Sequence, residues 1–521
     1  MSLRHRVGLV YVPGTLPCFE GFGSLPTDLI LADGLVNGKP ASEVLDLLII
    51  PGGSLVESQS ITDNIKKEIT KMVDADKFVL GICSGFQILA KATDIGRLSS
   101  TPIMREGLGL LDVDFQPLIC TDRVTATVVG KSFMTDAVGE TVTGFHCHTY
   151  GKIKAHKEAR PILVSHIRRV NYRNNPQEFF SGFTNKEGNV VGILTHALLD
   201  KNPVIIRSII NSLDISPEEL QKMRTANSRL LMKMKREVGI STDVQSGKHS
   251  PRQAETPLLL FTTATGSGSG KTFIVTGVAG ALKKRGVNVG LLKVGGDIRD
   301  IIPALYLIKE PISSYSSIRV ANSGWMPLLE TVEKASKNYD FLLIEGAMGP
   351  FTGFLNENVK RPSSTAEIAA ALGAPTILVV ACDKAGIEGA VVTALNYINL
   401  LKALGIRTVG VILNKVHTSY LTDDVKQSIK SAFSNLGVEL LGILHRVQLE
   451  GRGAIPEIEI KYEEFGAKAI ETVEQSLDLD ALLRLATPSV KSSLDYGAVL
   501  EKFKLLLDKG CIFDISEGGT G

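Results

Sequence analysis

The chain has 521 residues, of which 44% are hydrophobic and 21% are charged, so its composition is globular and excludes a disordered or fibrous protein. The 57 Lys and Arg residues nearly balance the 55 Asp and Glu residues, leaving a formal net charge of +2. Such a balance argues against a dedicated nucleic-acid coat or an acidic scaffold. Length alone allows about three or four domains, with two large domains equally admissible. Abundant glycine with few aromatic residues favours an α/β protein with tight, ligand-holding loops.

The cysteines and the N-terminus bear on the compartment. Six cysteines are scattered along the chain without a C-x-x-C pair, which favours a reducing environment. The N-terminal stretch MSLRHRVGLVYVPG lacks a signal-peptide core, and no apolar run approaches the roughly 18 residues of a membrane span. We therefore expect a soluble cytoplasmic protein that has neither a membrane nor a nucleic acid as a partner.

The first part of the chain alternates short apolar runs with helical stretches. Each run is rich in β-branched residues and is followed by turn-forming residues, as is typical of buried parallel strands. The predicted strands are 7–12, 45–50, 78–82 and 190–194, and helices are predicted at 61–74 and 203–212. Residues 1–213 are thus predicted to form an α/β domain.

Residues 214–257 differ from what precedes them. Ser216, Pro217 and two glutamates have the pattern of a helix start, and a Lys- and Arg-rich helix is predicted to continue to Lys235. The following stretch, 241–256, is polar and rich in Ser, Gly, Gln and Pro. We interpret 214–257 as a helical and polar linker between two domains.

A second α/β region is predicted over 258–486. Its apolar runs alternate with helical segments in the β-α-β rhythm of a parallel sheet. The predicted strands are 258–262, 289–293, 341–344, 376–381 and 408–413. The remaining residues, 487–521, are predicted to form a tail with one amphipathic helix at 496–507.

A phosphate-binding loop follows the first strand of the second region. Small residues allow backbone N–H groups to surround phosphate oxygens in front of a helix. Lys271 would neutralise the β- and γ-phosphates of ATP, and the hydroxyl of Thr272 would hold Mg²⁺. The first glycine of G-x-x-x-x-G-K-[ST] is replaced by Thr265, so a Gly/Ser loop without a nucleotide is the alternative. The predicted ATP-binding residues are Gly266, Ser267, Gly268, Ser269, Gly270, Lys271 and Thr272.

Polar side chains also follow the later strands. Asp297 and Glu345 come after the second and third strands, where carboxylates face the ligand crevice of an open α/β sheet. We predict both as Mg²⁺ ligands, with a helix N-cap as the alternative for each. Asn414 follows the last strand and is predicted to read the nucleobase, although Asn is also a common turn residue.

A thiol site is predicted in the first region. Cys83 lies in a G-x-C-x-G elbow, where the backbone N–H of Ser84 would stabilise an oxyanion. A following helix N-terminus is expected to lower the pKa of the thiol. A buried, inert cysteine is the alternative. A thiol nucleophile needs a base, and His146, His148 and His196 are candidates; the first two also suggest a metal pair, but no further ligands have convincing spacing.

Together, these motifs resemble those of the family of cobyrinic acid a,c-diamide synthase and cobyric acid synthase. In the second region the similar segments are K-V-G-G-D-I-R-D at 293–300, I-E-G-A-M-G at 344–349, S-T-A-E at 364–367 and V-I-L-N-K at 411–415. In the first region they are P-G-G at 51–53, G-I-C-S-G at 81–85, G-F-H-C-H at 144–148 and G-I-L-T-H at 192–196. The resemblance covers about residues 7–213 and 258–450.

The resemblance implies a flavodoxin-like class I glutamine amidotransferase domain followed by a P-loop NTPase domain related to dethiobiotin synthetase. It implies Cys83 as nucleophile and His196 as base. Gly52, Gly53 and Ser84 would form the oxyanion hole, and Lys293 and Asp300 would contact the substrate. The expected activity is ATP- and Mg²⁺-dependent transfer of ammonia from L-glutamine to carboxylates of a tetrapyrrole, through a Cys thioester and an acyl phosphate.

The chain also departs from the family's patterns. The two domains are in the reverse of the usual order, Gly296 replaces a proline, and the segment 349–353 lacks an aspartate. Leu198 stands where the wider amidotransferase class has the glutamate of H-P-E, as in other corrinoid-type members. The reaction type survives these changes, whereas the acceptor stays open.

Several alternatives remain. The acceptor could be another corrinoid acid, a nickel-sirohydrochlorin, a cell-wall precursor or a nucleotide base. The non-enzymatic alternative is a partitioning-type ATPase switch with a sensor domain, although Gly266 stands where such switches carry a lysine. A homodimer, and the role of residues 487–521, are also left open.

Overall fold

The computed structural model describes residues 3–17, 20–240, 257–355, 360–417, 421–449, 460–488 and 494–510. The chain divides into two compact units. The first unit includes 1–245, 305–312 and 450–465, and the second includes 246–304, 313–449 and 466–521. The polar part of the predicted linker, 241–256, lies outside the described residues. The domain boundaries predicted from the sequence stay predictions.

The described residues up to 240 contain short strands separated by helices. The strands in chain order are β1 (Val7–Val10), β2 (Asp28–Ile30), β3 (Leu35–Val36), β4 (Lys39–Pro40), β5 (Leu47–Ile50), β6 (Phe78–Ile82), β7 (Ala92–Asp94), β8 (Met104–Glu106), β9 (Val113–Gln116), β10 (Arg123–Val128), β11 (Thr141–Phe145), β12 (Lys152–Ala155), β13 (Arg160–Val170), β14 (Arg173–Thr184) and β15 (Val190–Ile193). The helices are α1 (Ala41–Val44), α2 (Leu55–Ser58), α3 (Asp63–Asp74), α4 (Ser84–Leu89), α5 (Leu198–Lys201), α6 (Pro203–Ser212) and α7 (Pro217–Lys235).

The main sheet of the first unit is mixed. Its strand order among the described residues is β11-β10-β13-β14-β15-β6-β5-β1-β2. The strands from β15 to β2 are parallel, and those from β11 to β14 extend the sheet in antiparallel fashion. The predicted parallel strands and helices are confirmed, but the antiparallel extension was missed. Its strands alternate buried and exposed residues, as in β10, so they lack the continuous apolar runs of the others.

Both faces of the parallel part are buried. Leu47 and Ile49 pack into one hydrophobic core, whereas Leu48 and Ile50 point into a second core on the other face. Strand alternation sends successive side chains to opposite faces, so a strand that is covered on both sides must be apolar throughout. Polar functional groups are thereby confined to the ends of the strands and the loops that follow them.

The helix predicted after the first region is present as α7. Ser216 precedes it, and its side chain accepts a hydrogen bond from the backbone N–H of Glu219, 3.3 Å away. The predicted combination of N-cap serine, first-position proline and early glutamates is therefore realised.

The later part of the chain contains the second main sheet. Its strands are β16 (Leu258–Ala264), β17 (Val289–Val294), β18 (Ser317–Ile318), β19 (Phe341–Glu345), β20 (Thr376–Ala381), β21 (Thr408–Val416), β22 (Glu439–His445) and β23 (Thr487–Pro488). Its helices are α8 (Lys271–Lys284), α9 (Ile302–Ile308), α10 (Leu328–Ser336), α11 (Thr365–Leu372), α12 (Gly386–Ala403), α13 (Asp423–Ser434), α14 (Tyr462–Ser476), α15 (Leu479–Leu485) and α16 (Tyr496–Asp508).

In this second sheet the strand order is β18-β17-β19-β16-β20-β21-β22, and all of these neighbours are parallel. The short strand β23 adds an antiparallel pairing to β16. The loop after β16 is therefore central, flanked by the ends of β19 and β20. The two-domain, mainly parallel α/β prediction is confirmed.

The C-terminal helix α16 packs into the second unit. Phe503 on this helix stacks on Phe354 with ring centroids 4.5 Å apart, and Val499 and Leu500 join the same core. The described part of the predicted tail therefore contributes to the core, while residues 511–521 lie outside the described part of the chain. Among the described residues, no helix combines the length and apolar character needed to cross a membrane.

Candidate active sites

The nucleophile elbow lies between β6 and α4. Cys83 adopts φ 52° and ψ −108°, a strained conformation with positive φ that turns the chain sharply from strand to helix. Small neighbours are required, since a methyl group at Gly81 would lie 2.5 Å from the carbonyl oxygen of Gly85. A methyl group at Gly85 would lie 2.1 Å from the carbonyl oxygen of Ile50. The two glycines thus allow the elbow to pack against the end of the neighbouring strand.

The electrostatic environment of Cys83 differs from the expectation. The side chain is buried, and burial raises the pKa of its thiol well above the usual value, with contributions from Cys147, Glu57 and Glu20. The backbone N–H of Ser84 acts in the opposite direction but does not outweigh burial. The prediction of a lowered thiol pKa is therefore wrong. Its thiol donates to the carbonyl of Cys147 at 3.7 Å, and a base must remove the proton.

The glycines after β5 lie beside the elbow. A methyl group on Gly52 would lie 2.6 Å from Cε1 of His196 and 3.4 Å from Cβ of Cys83, so both side chains approach the same backbone position. Gly53 has φ 142°, and a methyl group there would lie 1.9 Å from the carbonyl oxygen of Gly14. Only glycine fits at either position. The structure thus brings Gly52, Cys83 and His196 together, as the sequence predicts.

The base candidate His196 has a carboxylate partner that no sequence motif indicates. Its Nδ1 lies 2.5 Å from Oε1 of Glu20, and both side chains are buried. Phe145 stacks on the imidazole ring with centroids 5.2 Å apart and nearly parallel planes, and the backbones of the two residues exchange hydrogen bonds. The ring is therefore held on one edge and one face. Glu20 is separated from His196 by 176 positions, so no local spacing reveals the contact.

The two other histidines near this site belong to a buried polar chain. His146 Nδ1 lies 2.8 Å from Nε2 of His148, and His146 Nε2 lies 2.9 Å from the hydroxyl of Ser165. Ser165 in turn bonds Ser181 at 2.7 Å. Burial, assisted by His148 and His196, holds the pKa of His146 well below its usual range. His146 is consequently held neutral within this chain of hydrogen bonds. In the described parts of the chain no group of three or more His, Cys, Asp or Glu side chains is arranged to hold a metal ion.

The phosphate loop of the second unit joins β16 to α8. Gly268 and Gly270 have φ of 75° and 89°, so the loop depends on glycine at these positions. Ser269 closes the loop on itself by donating to the carbonyl of Gly266 at 2.8 Å. Lys271 starts α8, is nearly fully buried and donates to the carbonyl of Met348 at 2.9 Å. Burial lowers the pKa of Lys271, although the nearby Glu345 carboxylate partly offsets this.

Beside the loop, the ends of β17 and β19 hold a buried cluster of charges. Lys293 Nζ lies 2.6 Å from Oδ2 of Asp300 and 3.5 Å from Oε1 of Glu345. Burial disfavours the charged ammonium, but the two carboxylates outweigh it and raise the pKa of Lys293. The hydroxyl of Thr272 donates to the same Glu345 oxygen at 3.0 Å. The structure therefore brings Lys271, Thr272, Lys293, Asp300 and Glu345 together.

This cluster suits a magnesium ion. Glu345 Oε2 is buried and has no hydrogen-bond partner among the described residues, so one carboxylate oxygen is available to a cation beside the Thr272 hydroxyl. Mg²⁺ is usually held by one or two carboxylates, with phosphate oxygens and water completing the shell. Asp297 is arranged differently, because both of its oxygens accept from Arg299, at 2.8 and 2.7 Å.

Asn414 is placed against the phosphate loop. Its Nδ2 donates to the carbonyl of Ser269 at 2.8 Å, and its Oδ1 accepts from the backbone N–H of Lys415 at 2.9 Å. Lys415 Nζ donates to the carbonyl of Gly268 at 2.7 Å. The end of β21 thus supports the loop from outside, a role that the motif spacing alone does not indicate. Base reading by Asn414 stays a prediction.

Comparison with known proteins identifies the class of each part. Residues 33–204 match the sequence model of the CobB/CobQ-like glutamine amidotransferase domain, and residues 259–450 match that of an AAA domain. These ranges contain the thiol elbow and the phosphate loop, respectively. The chain therefore contains a segment that matches a glutamine amidotransferase domain, followed by a segment that matches an AAA domain.

Individual curated proteins are similar to parts of the chain. A hydrogenobyrinate a,c-diamide synthase from Mycobacterium bovis is 34% identical over 35% of this chain and 38% of its own length. A cobyrinate a,c-diamide synthase from Dehalococcoides mccartyi is 29% identical over 45% of this chain and 46% of its own length. A cobyric acid synthase from a Thermoanaerobacter species is 31% identical over 32% of this chain and 33% of its own length. The chain is thus similar to cobyrinate and hydrogenobyrinate a,c-diamide synthases and to a cobyric acid synthase. It spans about a third to a half of the length of these relatives.

Proposed function

We propose that this protein is a glutamine- and ATP-dependent amidoligase that converts carboxylates of a corrinoid or related tetrapyrrole into amides. The proposal rests mainly on the first unit, where Cys83 and His196 lie together beside Gly52. In the same chain, the second unit places Lys271, Thr272 and Glu345 at a phosphate loop. A thiol site alone would suggest a hydrolase, and a phosphate loop alone would suggest an ATPase. Their combination suits the transfer of ammonia to an activated acid.

In the first unit, Cys83 attacks the side-chain amide of glutamine. His196 accepts the thiol proton and then delivers it to the departing ammonia, leaving a γ-glutamyl thioester. Backbone N–H groups of Ser84 and of the Gly52–Gly53 segment are the proposed oxyanion donors. Water, deprotonated by His196, hydrolyses the thioester to glutamate and restores the thiol. Because the resting thiol is buried and neutral, proton removal by His196 has to accompany attack.

In the second unit, the phosphate loop and Lys271 orient ATP and neutralise negative charge as the γ-phosphoryl group passes to a substrate carboxylate. Thr272 and Glu345 would hold Mg²⁺, which supplies further neutralisation of phosphate charge when bound. Lys293, which is held by Asp300 and Glu345, presents a permanent cation toward the incoming carboxylate. Ammonia then attacks the acyl phosphate, releasing phosphate and forming the amide.

The acceptor is proposed from the relatives, whose printed names refer to cobyrinate, hydrogenobyrinate and cobyric acid. To test it, the full chain is incubated with ATP, Mg²⁺, glutamine and a panel of carboxylated tetrapyrroles, and products are weighed by mass spectrometry. Each amidation should lower the mass by about one dalton and consume one ATP. Glutamate release without amidation of any tetrapyrrole would refute the proposed acceptor class, and absence of any glutaminase activity would refute the amidotransferase itself.

A further inference from the structure

The glutaminase base has a carboxylate that comes from an unexpected part of the chain. In H-P-E amidotransferases the glutamate lies two residues after the histidine, but here that position is Leu198, which is fully buried in a hydrophobic core. Glu20, near the N-terminus, contacts His196 instead, with 2.5 Å between Oε1 and Nδ1. His196 is 1% exposed and Glu20 is 3% exposed, so solvent does not compete for this contact.

The Glu20 carboxylate contacts the segment that contains His196 through both of its oxygens. While Oε1 faces the imidazole, Oε2 accepts from the backbone N–H of Ala197 at 2.6 Å. Ala197 has φ 56°, a left-handed conformation that an alanine rarely adopts. The second contact therefore supports the backbone turn on which the imidazole is mounted, so that the ring and its backbone are fixed by a single carboxylate.

The position of Glu20 is itself set by the segment that carries the base. Asp200, on α5, accepts hydrogen bonds from the backbone N–H groups of Gly21 and Gly23, each at 2.8 Å. Burial raises the pKa of Asp200, and the adjacent Glu20 carboxylate adds to this. The repulsion between these two carboxylates is offset by the backbone hydrogen bonds that each of them accepts. Residues 196–200 thus contain the imidazole, the turn that Glu20 supports and the anchor for Glu20.

We propose that Glu20 is the positioning residue of the glutaminase site and replaces the missing glutamate of the H-P-E pattern. A carboxylate oxygen accepts but does not donate, so the contact requires the proton to be on Nδ1 of neutral His196. The lone pair is then on Nε2, the nitrogen that lies with Cys83 beside Gly52. When Nε2 takes the thiol proton, the imidazolium cation forms next to the buried Glu20 carboxylate, which stabilises it.

The proposal rests on the proposed glutaminase function and is tested by Glu20→Gln. An amide cannot accept from both Nδ1–H and Ala197 N–H, because one of its two polar ends is a donor. We expect the glutaminase kcat to fall by about 10²- to 10⁴-fold, the range found for loss of acid–base assistance or of the correct tautomer. The KM for glutamine should change little, because Glu20 contacts the base and its turn. Glu20→Asp, which keeps the charge, should retain more activity than Glu20→Gln.

Glu140→Gln is the matched control, since Glu140 is an exposed carboxylate in the same unit and should leave kcat unchanged. ATP-dependent synthesis with a high concentration of ammonia should proceed in Glu20→Gln, which separates a glutaminase defect from a folding defect. If Glu20→Gln does not fold, Asp200→Asn is the test, because it weakens the contacts of Asp200 with Gly21 and Gly23 that hold Glu20 in place. The proposal predicts a lower glutaminase kcat at constant KM. An unchanged kcat would overturn it.

Two outcomes separate this inference from the function on which it rests. A normal kcat in Glu20→Gln, or a defect confined to KM, would overturn the role of Glu20 while leaving the amidotransferase intact, provided that Cys83→Ser is inactive with glutamine. If Cys83→Ser itself keeps full glutaminase activity, the proposed function fails as well.

Discussion

The thiol site and the phosphate-loop site differ in the charge of their central side chains before the reaction. In the first unit, burial keeps the thiol of Cys83 and the imidazole of His146 neutral, and charge has to be created by proton transfer during the reaction. In the second unit, Lys293 contacts the carboxyl groups of Asp300 and Glu345 before any substrate arrives, and these neighbours raise its pKa. The reacting thiol is therefore buried and neutral at rest, whereas the phosphate-loop site holds a buried cation at rest.

This difference follows from the chemistry that each site is proposed to perform. The side-chain amide that Cys83 attacks is neutral, so the nucleophile can stay neutral at rest and develop charge only during the reaction. A phosphate-binding site needs cations in place, and a buried cation is tolerated only if carboxylates compensate it. Removing one group should therefore abolish chemistry at the first site and should disturb both stability and chemistry at the second.

The largest effect is expected for Cys83→Ser. Because a serine hydroxyl is a far poorer nucleophile without further activation, glutamine hydrolysis and glutamine-driven synthesis should fall by at least about 10⁴-fold. Synthesis with ammonia should continue, as should ATP binding. Activities with the two nitrogen donors are compared at saturating ATP, with Cys382→Ser as the control. Equal loss with both donors would contradict a division of chemistry between the units.

Lys293→Met should be the most destabilising change in the second unit. Methionine fills similar space but leaves the buried Glu345 carboxylate without its ammonium partner, a type of loss that typically costs about 3–5 kcal/mol. Trp325 is the only tryptophan and lies buried in this unit, so its fluorescence during urea unfolding reports on the affected unit. Lys334→Met, which breaks an exposed pair, should cost about 1 kcal/mol or less. Equal small costs would contradict the ionic description.

Lys271→Ala should reduce synthesis with either nitrogen donor. Loss of one charge-stabilising donor at a reacting centre typically costs about 10²- to 10³-fold in kcat. Glutamine hydrolysis by Cys83 should retain its basal rate, which is the reverse of the pattern for Cys83→Ser. Lys284→Ala is the control on the same helix, because Lys284 pairs with Glu474 at the surface. Normal ATP-dependent turnover in Lys271→Ala would show that the loop assignment is wrong.

The smallest effect concerns the response of the first unit to acid. His146 has a folded-state pKa below its ordinary value of 6.5, mainly because it is buried. As pH falls below that value, the unfolded chain binds a proton that the folded chain does not, so stability decreases by up to about 1.4 kcal/mol per pH unit. Above pH 6.5 neither the folded nor the unfolded chain protonates this residue appreciably, so His146 causes no loss of stability there.

This pH dependence is measured by hydrogen exchange of peptides from the first unit between pH 5 and 8, a range chosen to bracket the ordinary histidine pKa. His146→Gln should flatten the acidic part of the profile, because the residue that resists protonation is gone. An unaltered acid response in His146→Gln would contradict the neutral, buried description of this site.

Prediction from sequence succeeded where the signal was local. The parallel strands β1, β5 and β6 are continuous apolar runs, because each is covered on both faces, and the elbow at Cys83 and the phosphate loop are short contiguous motifs. The antiparallel strands were missed, since a strand with one exposed face interrupts its apolar residues with polar ones. The lowered thiol pKa was predicted wrongly, because the elbow motif contains no information on how deeply the fold buries Cys83.

The amino-acid sequence by itself determined the class of fold, the two reactive motifs and their order along the chain, because each depends on residues within a few positions of one another. Only the tertiary structure decided which groups act on those motifs. Glu20 contacts His196 across 176 positions, and Lys293, Asp300 and Glu345 meet because the ends of parallel strands share one edge of the sheet. Such contacts form only when distant segments of the chain are brought together by folding, and they leave no periodicity or fixed spacing in the sequence.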